Sequence, residues 1–220
     1  MISKEVLDNG VCVFQDDELY KFTSDAILLS KFIKCKKNEV MADFCAGSGV
    51  VGLNFFALNK GLIKRLDFFE MQPPFCALIN KSIEQNTLTD IASVKNVKIQ
   101  DIGAEHYEKY SLISCNPPYF KPTETKTGEN LSVKTAREEI CLTLEELILK
   151  ASKCLKFGGR FCMVHIIDRL VDTISLMRKY NIEPKILQFV SAKNKAPYLF
   201  LIEGAKGGKS GLKILKEGEN

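Results

Sequence analysis

The segment Ser114-Cys115-Asn116-Pro117-Pro118-Tyr119-Phe120 follows an apolar run, Tyr110 to Ile113, and is made of residues that serve a strand badly. Proline donates no hydrogen bond, and two in succession force a stiff, extended exit from a sheet. The same residues suit a flat polar target. The amide oxygen of Asn116 and the carbonyl of Pro117 can both accept from one NH2 group. Tyr119 can stack on a planar ring. Asn116, Pro117, Pro118 and Tyr119 are therefore the candidate catalytic group, gripping a planar amine.

A second cluster lies upstream, in Asp43-Phe44-Cys45-Ala46-Gly47-Ser48-Gly49. Gly47-x-Gly49-x-x-Gly52 also satisfies the dinucleotide fingerprint, with Glu70 near the place of a ribose-binding acid. Glycines there mean that a ligand approaches the backbone closely. Asp43 turns the reading away from a pyrophosphate, because a carboxylate beside the turn repels phosphate and suits a cation. Glu70 and Asp101 add acceptors at the carboxyl ends of parallel strands, where open α/β sheets bind ligands. S-adenosylmethionine carries an ammonium, a sulfonium, a ribose diol and an adenine amine, and asks for such acceptors. Methyl transfer from its sulfonium is an in-line displacement that needs close approach of the amine nitrogen. Two oxygens drawing on the amine protons would return electron density to that nitrogen without a strong base. None is obvious: His106 and His165 are the only histidines, each reading more readily as a structural or surface residue.

In this order, Asp-x-x-x-Gly-x-Gly, Glu70, Asp101 and Asn-Pro-Pro-Tyr resemble the class I methyltransferases. The resemblance implies a cofactor set of Asp43, Ala46, Gly47, Gly49, Glu70, Met71, Asp101, Ile102 and Asn116. Glu70 would hold the ribose hydroxyls, Met71 the adenine face and Asp101 the adenine amine; Asp43 and the Gly47–Gly49 backbone would meet the methionine end. Further matches are Phe22-Thr23-Ser24-Asp25-Ala26-Ile27-Leu28-Leu29, Ala136-Arg137-x-Glu139, His165-x-x-x-Arg169-Leu170 and Lys206-Gly207-Gly208. With them nearly the whole chain resembles the bacterial tRNA1(Val) (adenine-37-N6)-methyltransferase family. Ile166 departs from the proline expected after the histidine. The implied partner is tRNA, and the implied substrate contacts are Tyr119, Phe120, Lys121 and Arg137. Other readings are methylation of a protein glutamine or another RNA base, and an RNA-binding module without catalysis; nicotinamide redox chemistry trails them.

The elements that must position these residues alternate strand and helix, which argues for a mostly parallel sheet with helices on both faces. The expected architecture is an α/β Rossmann-like three-layer sandwich, a seven-stranded sheet whose last strand is antiparallel. Residues 11–22 read as a hairpin around Asp16-Asp17, and Thr23 as the cap of a helix through Ile33. Residues 1–38 then form an N-terminal extension packing on a catalytic domain of 39–220. Strands are expected at Val40–Phe44, Leu66–Phe69, Lys95–Gln100, Ser111–Cys115, Arg160–Ile166, Ile186–Val190 and Tyr198–Ile202. Thr143 and Glu146 form a capping box that starts a helix carrying Leu147, Ile148, Ala151 and Leu155. The polar stretch 120–141 is too long for a plain connection and reads as functional or mobile; with Lys121, Lys126, Lys134 and Arg137, the resemblance implies that it is a substrate clamp.

The 220 residues carry a net charge of +4, too little alone to indicate nucleic acid, but lysines cluster at 31, 34, 36 and 37 and at 193, 195, 206 and 209. Eight cysteines sit singly with no C-x-x-C spacing, which suggests a reducing compartment and no metal. No run approaches 18 apolar residues, and the start lacks a secretory pattern. A cytoplasmic monomer is the default expectation.

Overall fold

A computed structural model describes residues 1–117, 142–193 and 195–216. Pro118, Tyr119, Phe120, Lys121 and Arg137, with the proposed 120–141 clamp, lie outside the described residues. Among those described, a parallel core is formed by β3 (Glu39–Phe44), β4 (Ile63–Glu70), β5 (Ala92–Asn96), β6 (Tyr110–Cys115) and β7 (Leu155–Ile166). Two further strands, β8 (Ile182–Ser191) and β9 (Pro197–Lys206), extend it beyond β7, with β9 antiparallel to both neighbours. A three-residue strand, β10 (Lys213–Leu215), pairs in parallel with β8, so the order is β10-β8-β9-β7-β6-β3-β4-β5. The seven expected strands are present with the antiparallel one in place; the eighth was not read from the sequence.

Strand alternation sends successive residues to opposite faces. Met41, Leu66, Phe68, Leu112 and Val164 join one core, into which α1 (Ser24–Phe32), α2 (Val50–Leu58) and α3 (Pro73–Gln85) send Leu29, Leu53 and Ile79. Ala42, Phe44, Phe69, Ile113 and Met163 join the other, against Leu147 and Ile148 of α4 (Leu144–Cys154) and Met177 of α5 (Leu170–Lys179). The Thr143–Glu146 capping box is present, with the Thr143 hydroxyl accepting from the Glu146 amide at 3.2 Å.

Three local expectations are corrected. The hairpin pairs β1 (Ile2–Val6) with β2 (Cys12–Asp16), so its turn lies at 7–11 and not at Asp16-Asp17. Gly10 has φ 83°, the left-handed backbone that glycine supplies freely. The strand expected over Lys95–Gln100 is Ala92–Asn96, followed by a 3-10 turn at Ile99–Asp101. Its extent is set by its partner: β4 ends at Glu70 opposite Asn96, whose Nδ2 donates to the Glu70 carbonyl at 3.0 Å. The strand expected at Ile186–Val190 runs from Ile182 to Ser191 and so contains Pro184, tolerated because the pairing register shifts between Pro184 and Ile186.

The first 33 residues are tied down by side chains of the helices beneath them. Phe14 N donates to Ser82 Oγ at 3.0 Å, Cys12 N to Asn86 Oδ1 at 2.9 Å, and Asn9 Nδ2 to Asn54 Oδ1 at 2.7 Å. At the amino ends of the central strands, buried Arg160 joins Glu203 at 3.0 Å and Glu39 at 2.7 Å.

Candidate functional site

The turn after β3 carries three left-handed residues in five: Cys45 at φ 54°, Gly47 at 54° and Gly49 at 79°. The glycines serve different purposes. A Cβ on Gly47 would meet nothing within 4 Å, so this glycine keeps the turn's outer face open. A Cβ on Gly52 would sit 2.6 Å from the Phe68 ring, so that glycine lets α2 lie directly on β4.

Two carboxylates hold the turn. Asp43 accepts from Gly52 N at 3.0 Å and from Ser114 Oγ at 2.6 Å, both inside the protein. It is 1% exposed, and burial pushes its carboxyl up to about 7 against those two hydrogen bonds, with the Glu70 charge adding to the rise. Glu70 accepts from Gly47 N and from Gln72 N, each at 2.9 Å. Burial raises its carboxyl too, opposed by the amides of Gln72, Gly47 and Met71.

Above the turn lies a pocket of about 910 Å³, its open mouth included. One wall is the turn itself, Cys45 to Ser48 with Val50 and Val51; a second is Phe69 to Gln72 with Phe75. Val97, Ile99 and Gln100 form a third, Asn116 and Leu142 a fourth, and Tyr20, Phe22 and Ala26 close the last side. Of the residues expected at the cofactor, Ala46, Gly47, Glu70, Met71 and Asn116 border this space. Four do not. Asp43 lies below the turn, and Gly49 packs against Ile79 and Phe68. Asp101 ends its 3-10 turn exposed, leaving Gln100 on the pocket, while Ile102 is 2% exposed within the core. Pro117 is buried immediately after Asn116.

The wall formed by Tyr20, Phe22 and Phe75 was not read as part of the site. Its one signal is the aromatic spacing before Thr23, which alternation alone cannot aim at a pocket 25 residues away. Neither histidine offers a base. His165 is buried, held down to about 3 by desolvation and by the Arg169 charge, and its Nδ1 accepts from Ile166 N at 2.8 Å. His106 packs edge-on against Phe69 and meets the Tyr110 hydroxyl at 2.9 Å, which in turn donates to Asp67 at 2.8 Å.

The pocket suits S-adenosylmethionine by its donor set. Ser48 lines it, and its Oγ is buried without a hydrogen-bond partner among the described residues. An orphaned buried hydroxyl is costly unless a ligand meets it. Glu70 offers a carboxylate to a diol, and Met71, Val97 and Ile99 offer apolar surface to a flat ring. Among the described residues no group of acids, histidines and cysteines is arranged to hold a metal.

The sequence matches the methyltransferase small domain family over residues 7–180. It is similar to the tRNA1(Val) (adenine(37)-N6)-methyltransferase of Proteus mirabilis, at 26% identity over 182 residues, 81% of this chain and 69% of that protein. The Yersinia enterocolitica protein of the same name is 26% identical over 144 residues, 66% of this chain and 56% of its own. The match thus spans little more than half of that relative's length. A predicted O-methyltransferase of Agrobacterium tumefaciens superposes with a TM-score of 0.68 at 15% identity, covering 87% of this chain and 85% of that one. A likeness at that identity speaks for the fold.

Proposed function

The chain belongs to the methyltransferase small domain family, and from that premise we propose that it methylates the exocyclic N6 of an anticodon-loop adenine in tRNA. The observation that carries this reading is that Asn116 borders the same pocket as Ser48 and Glu70. Cofactor residues and the amine-gripping strand exit therefore share one space. The names of the curated relatives support the choice of tRNA and adenine.

S-adenosylmethionine, when bound, supplies a methyl on a sulfonium and leaves as the neutral thioether. Glu70 would hold its ribose hydroxyls, Met71 and Ile99 its adenine, and Ser48 with Gly47 the methionine end. Asn116 Oδ1 and the Pro117 carbonyl accept the two hydrogens of the target amine, which fixes its plane and leaves nitrogen to face the methyl. As the new bond forms, positive charge grows on that nitrogen, and the two oxygens stabilise it in place. The proton leaves to water once the product amine is cationic, so no histidine is required. Phe22 and Tyr20 wall the pocket on the side of the N-terminal segment.

No helix among the described residues is long and apolar enough to cross a membrane. The proposed tRNA substrate supports reading the activity as cytoplasmic. Incubation with labelled S-adenosylmethionine and unmodified total tRNA, followed by digestion, is expected to yield labelled N6-methyladenosine. Label on glutamine of a protein substrate, and none in tRNA, would overturn the reading.

A further inference from the structure

Strand polarity sorts the lysines of this chain into two groups. All parallel strands point their carboxyl ends toward the pocket. Lys34, Lys36 and Lys37 precede β3, while Lys206 ends antiparallel β9 and Lys209 follows it, so both groups lie at the opposite end. Lys36 N donates to Glu39 Oε2 there, and Lys206 Nζ donates to the Leu155 carbonyl. The lysine clusters conspicuous in the sequence are therefore largely on the wrong end to meet a substrate entering the pocket.

One part of them is not. The connection from β8 to antiparallel β9 turns at the pocket end of the sheet, and it carries Lys193 and Lys195, both exposed. Tyr198, 46% exposed, follows at the start of β9. No acidic residue occurs from Ser191 to Tyr198. On the neighbouring corner after β7, Asp168 is exposed and Arg169 Nε faces Asp172 at 3.3 Å, so of these two corners the turn is the one whose described cations have no acid beside them in sequence. In sheet order β9 stands two strands from β6 and β8 three. At about 4.8 Å per strand the turn lies roughly 10–14 Å from β6, the strand that Asn116 follows. That is the span of about three or four stacked nucleotides, fewer in a stretched strand.

We propose that the β8–β9 turn is the docking surface for single-stranded RNA flanking the target base, with Lys193 and Lys195 on phosphates and Tyr198 stacked on a base. The assignment rests on the RNA-methylating function proposed above. Two cations beside an exposed aromatic ring are what sequence-tolerant single-strand binding uses. The spacing from Asn116 lets flanking nucleotides engage the turn while the target base occupies the pocket.

The test measures affinity for unmodified tRNA against salt, together with steady-state methylation. Lys193→Glu/Lys195→Glu is expected to weaken binding about tenfold or more at low salt. Its log-affinity against log-salt slope should flatten by about 1.4–1.8, from two lost phosphate contacts. KM for tRNA should rise with kcat and cofactor affinity unchanged. Tyr198→Ala is expected to weaken binding about fivefold or more with the wild-type slope, because stacking releases no counterions. Lys36→Glu/Lys37→Glu, the same charge change at the other end, should leave the slope unaltered. A wild-type slope in the Lys193/Lys195 variant, or an equal loss in the Lys36/Lys37 variant, would overturn the proposal. Binding is read without turnover, so tRNA bound through these lysines but not methylated at adenine N6 would sink the functional reading alone.

Discussion

Replacing Ser114 with alanine removes the 2.6 Å hydrogen bond that its buried hydroxyl gives to Asp43. The carboxylate then keeps only the Gly52 amide at 3.0 Å. A buried hydrogen bond to a charged group is worth about 1.5–3 kcal/mol, and one to the neutral acid about 1 kcal/mol. With its carboxyl at about 7, Asp43 is mostly protonated at pH 5 and mostly charged at pH 9. The destabilisation by Ser114→Ala should therefore grow from about 1 kcal/mol at pH 5 to about 2–3 kcal/mol at pH 9. Its midpoint should lie at or above 7, because loss of the donor pushes Asp43 higher still. The difference between proteins is the right quantity to measure. In the wild type, Asp43 is raised from 3.8 to about 7, so the stability it contributes is full below 3.8 and is lost as pH rises through 7. His165 is lowered from 6.5 to about 3, so the stability it contributes is present above 6.5 and lost as pH falls toward 3. The two slopes oppose one another between pH 4 and 6.5 and would mask either group alone. Urea unfolding of both proteins at pH 5, 6, 7, 8 and 9 supplies the comparison. A destabilisation independent of pH would refute the assignment of Asp43 as the titrating partner.

Asn116→Ala should abolish methyl transfer while cofactor affinity, by calorimetry, stays near wild type; unchanged turnover removes Asn116 from the chemistry. Gly52→Ala pushes a methyl to 2.6 Å from Phe68 and should cost about 1–3 kcal/mol, a fall in Tm of roughly 2–12 °C. A wild-type Tm would mean that α2 does not rest on β4 as described. Arg160→Met strands Glu39 and Glu203 as buried charges and should cost about 3–5 kcal/mol, largely recovered in Arg160→Met/Glu39→Gln/Glu203→Gln. Failure of the triple variant to recover would point to packing of the arginine stem instead. The imidazole of His165 should show flat NMR shifts from pH 5 to 9; a midpoint near 6.5 would contradict its burial.

The parallel core was legible because each strand is a short apolar run bounded by turn chemistry, and Thr143 with Glu146 announced its helix. What sequence could not supply was aim. Asp43 and Asp101 are both acids at strand ends, yet one is sealed beneath the turn and the other faces water. That difference arises from Ser114, 71 residues away, and from a 3-10 turn that carries Gln100 to the pocket. The lysine clusters divide between the two ends of the sheet for a related reason. Proximity along the chain says nothing about which end of a sheet a residue occupies, whereas strand direction decides it.

The aromatic wall from Tyr20 to Ala26 has a consequence for how the pocket comes into being. Its supports, Asn54, Ser82 and Asn86, are all made later than the residues they hold. During synthesis the segment 9–26 therefore lacks its full support until α2 and then α3 have been made, and that side of the pocket has no wall until the segment settles. Asn116 arrives later again, after both. The pocket is thus complete only when residues from Tyr20 to Leu142 have met, and a ligand held there would tether the start of the protein to its middle.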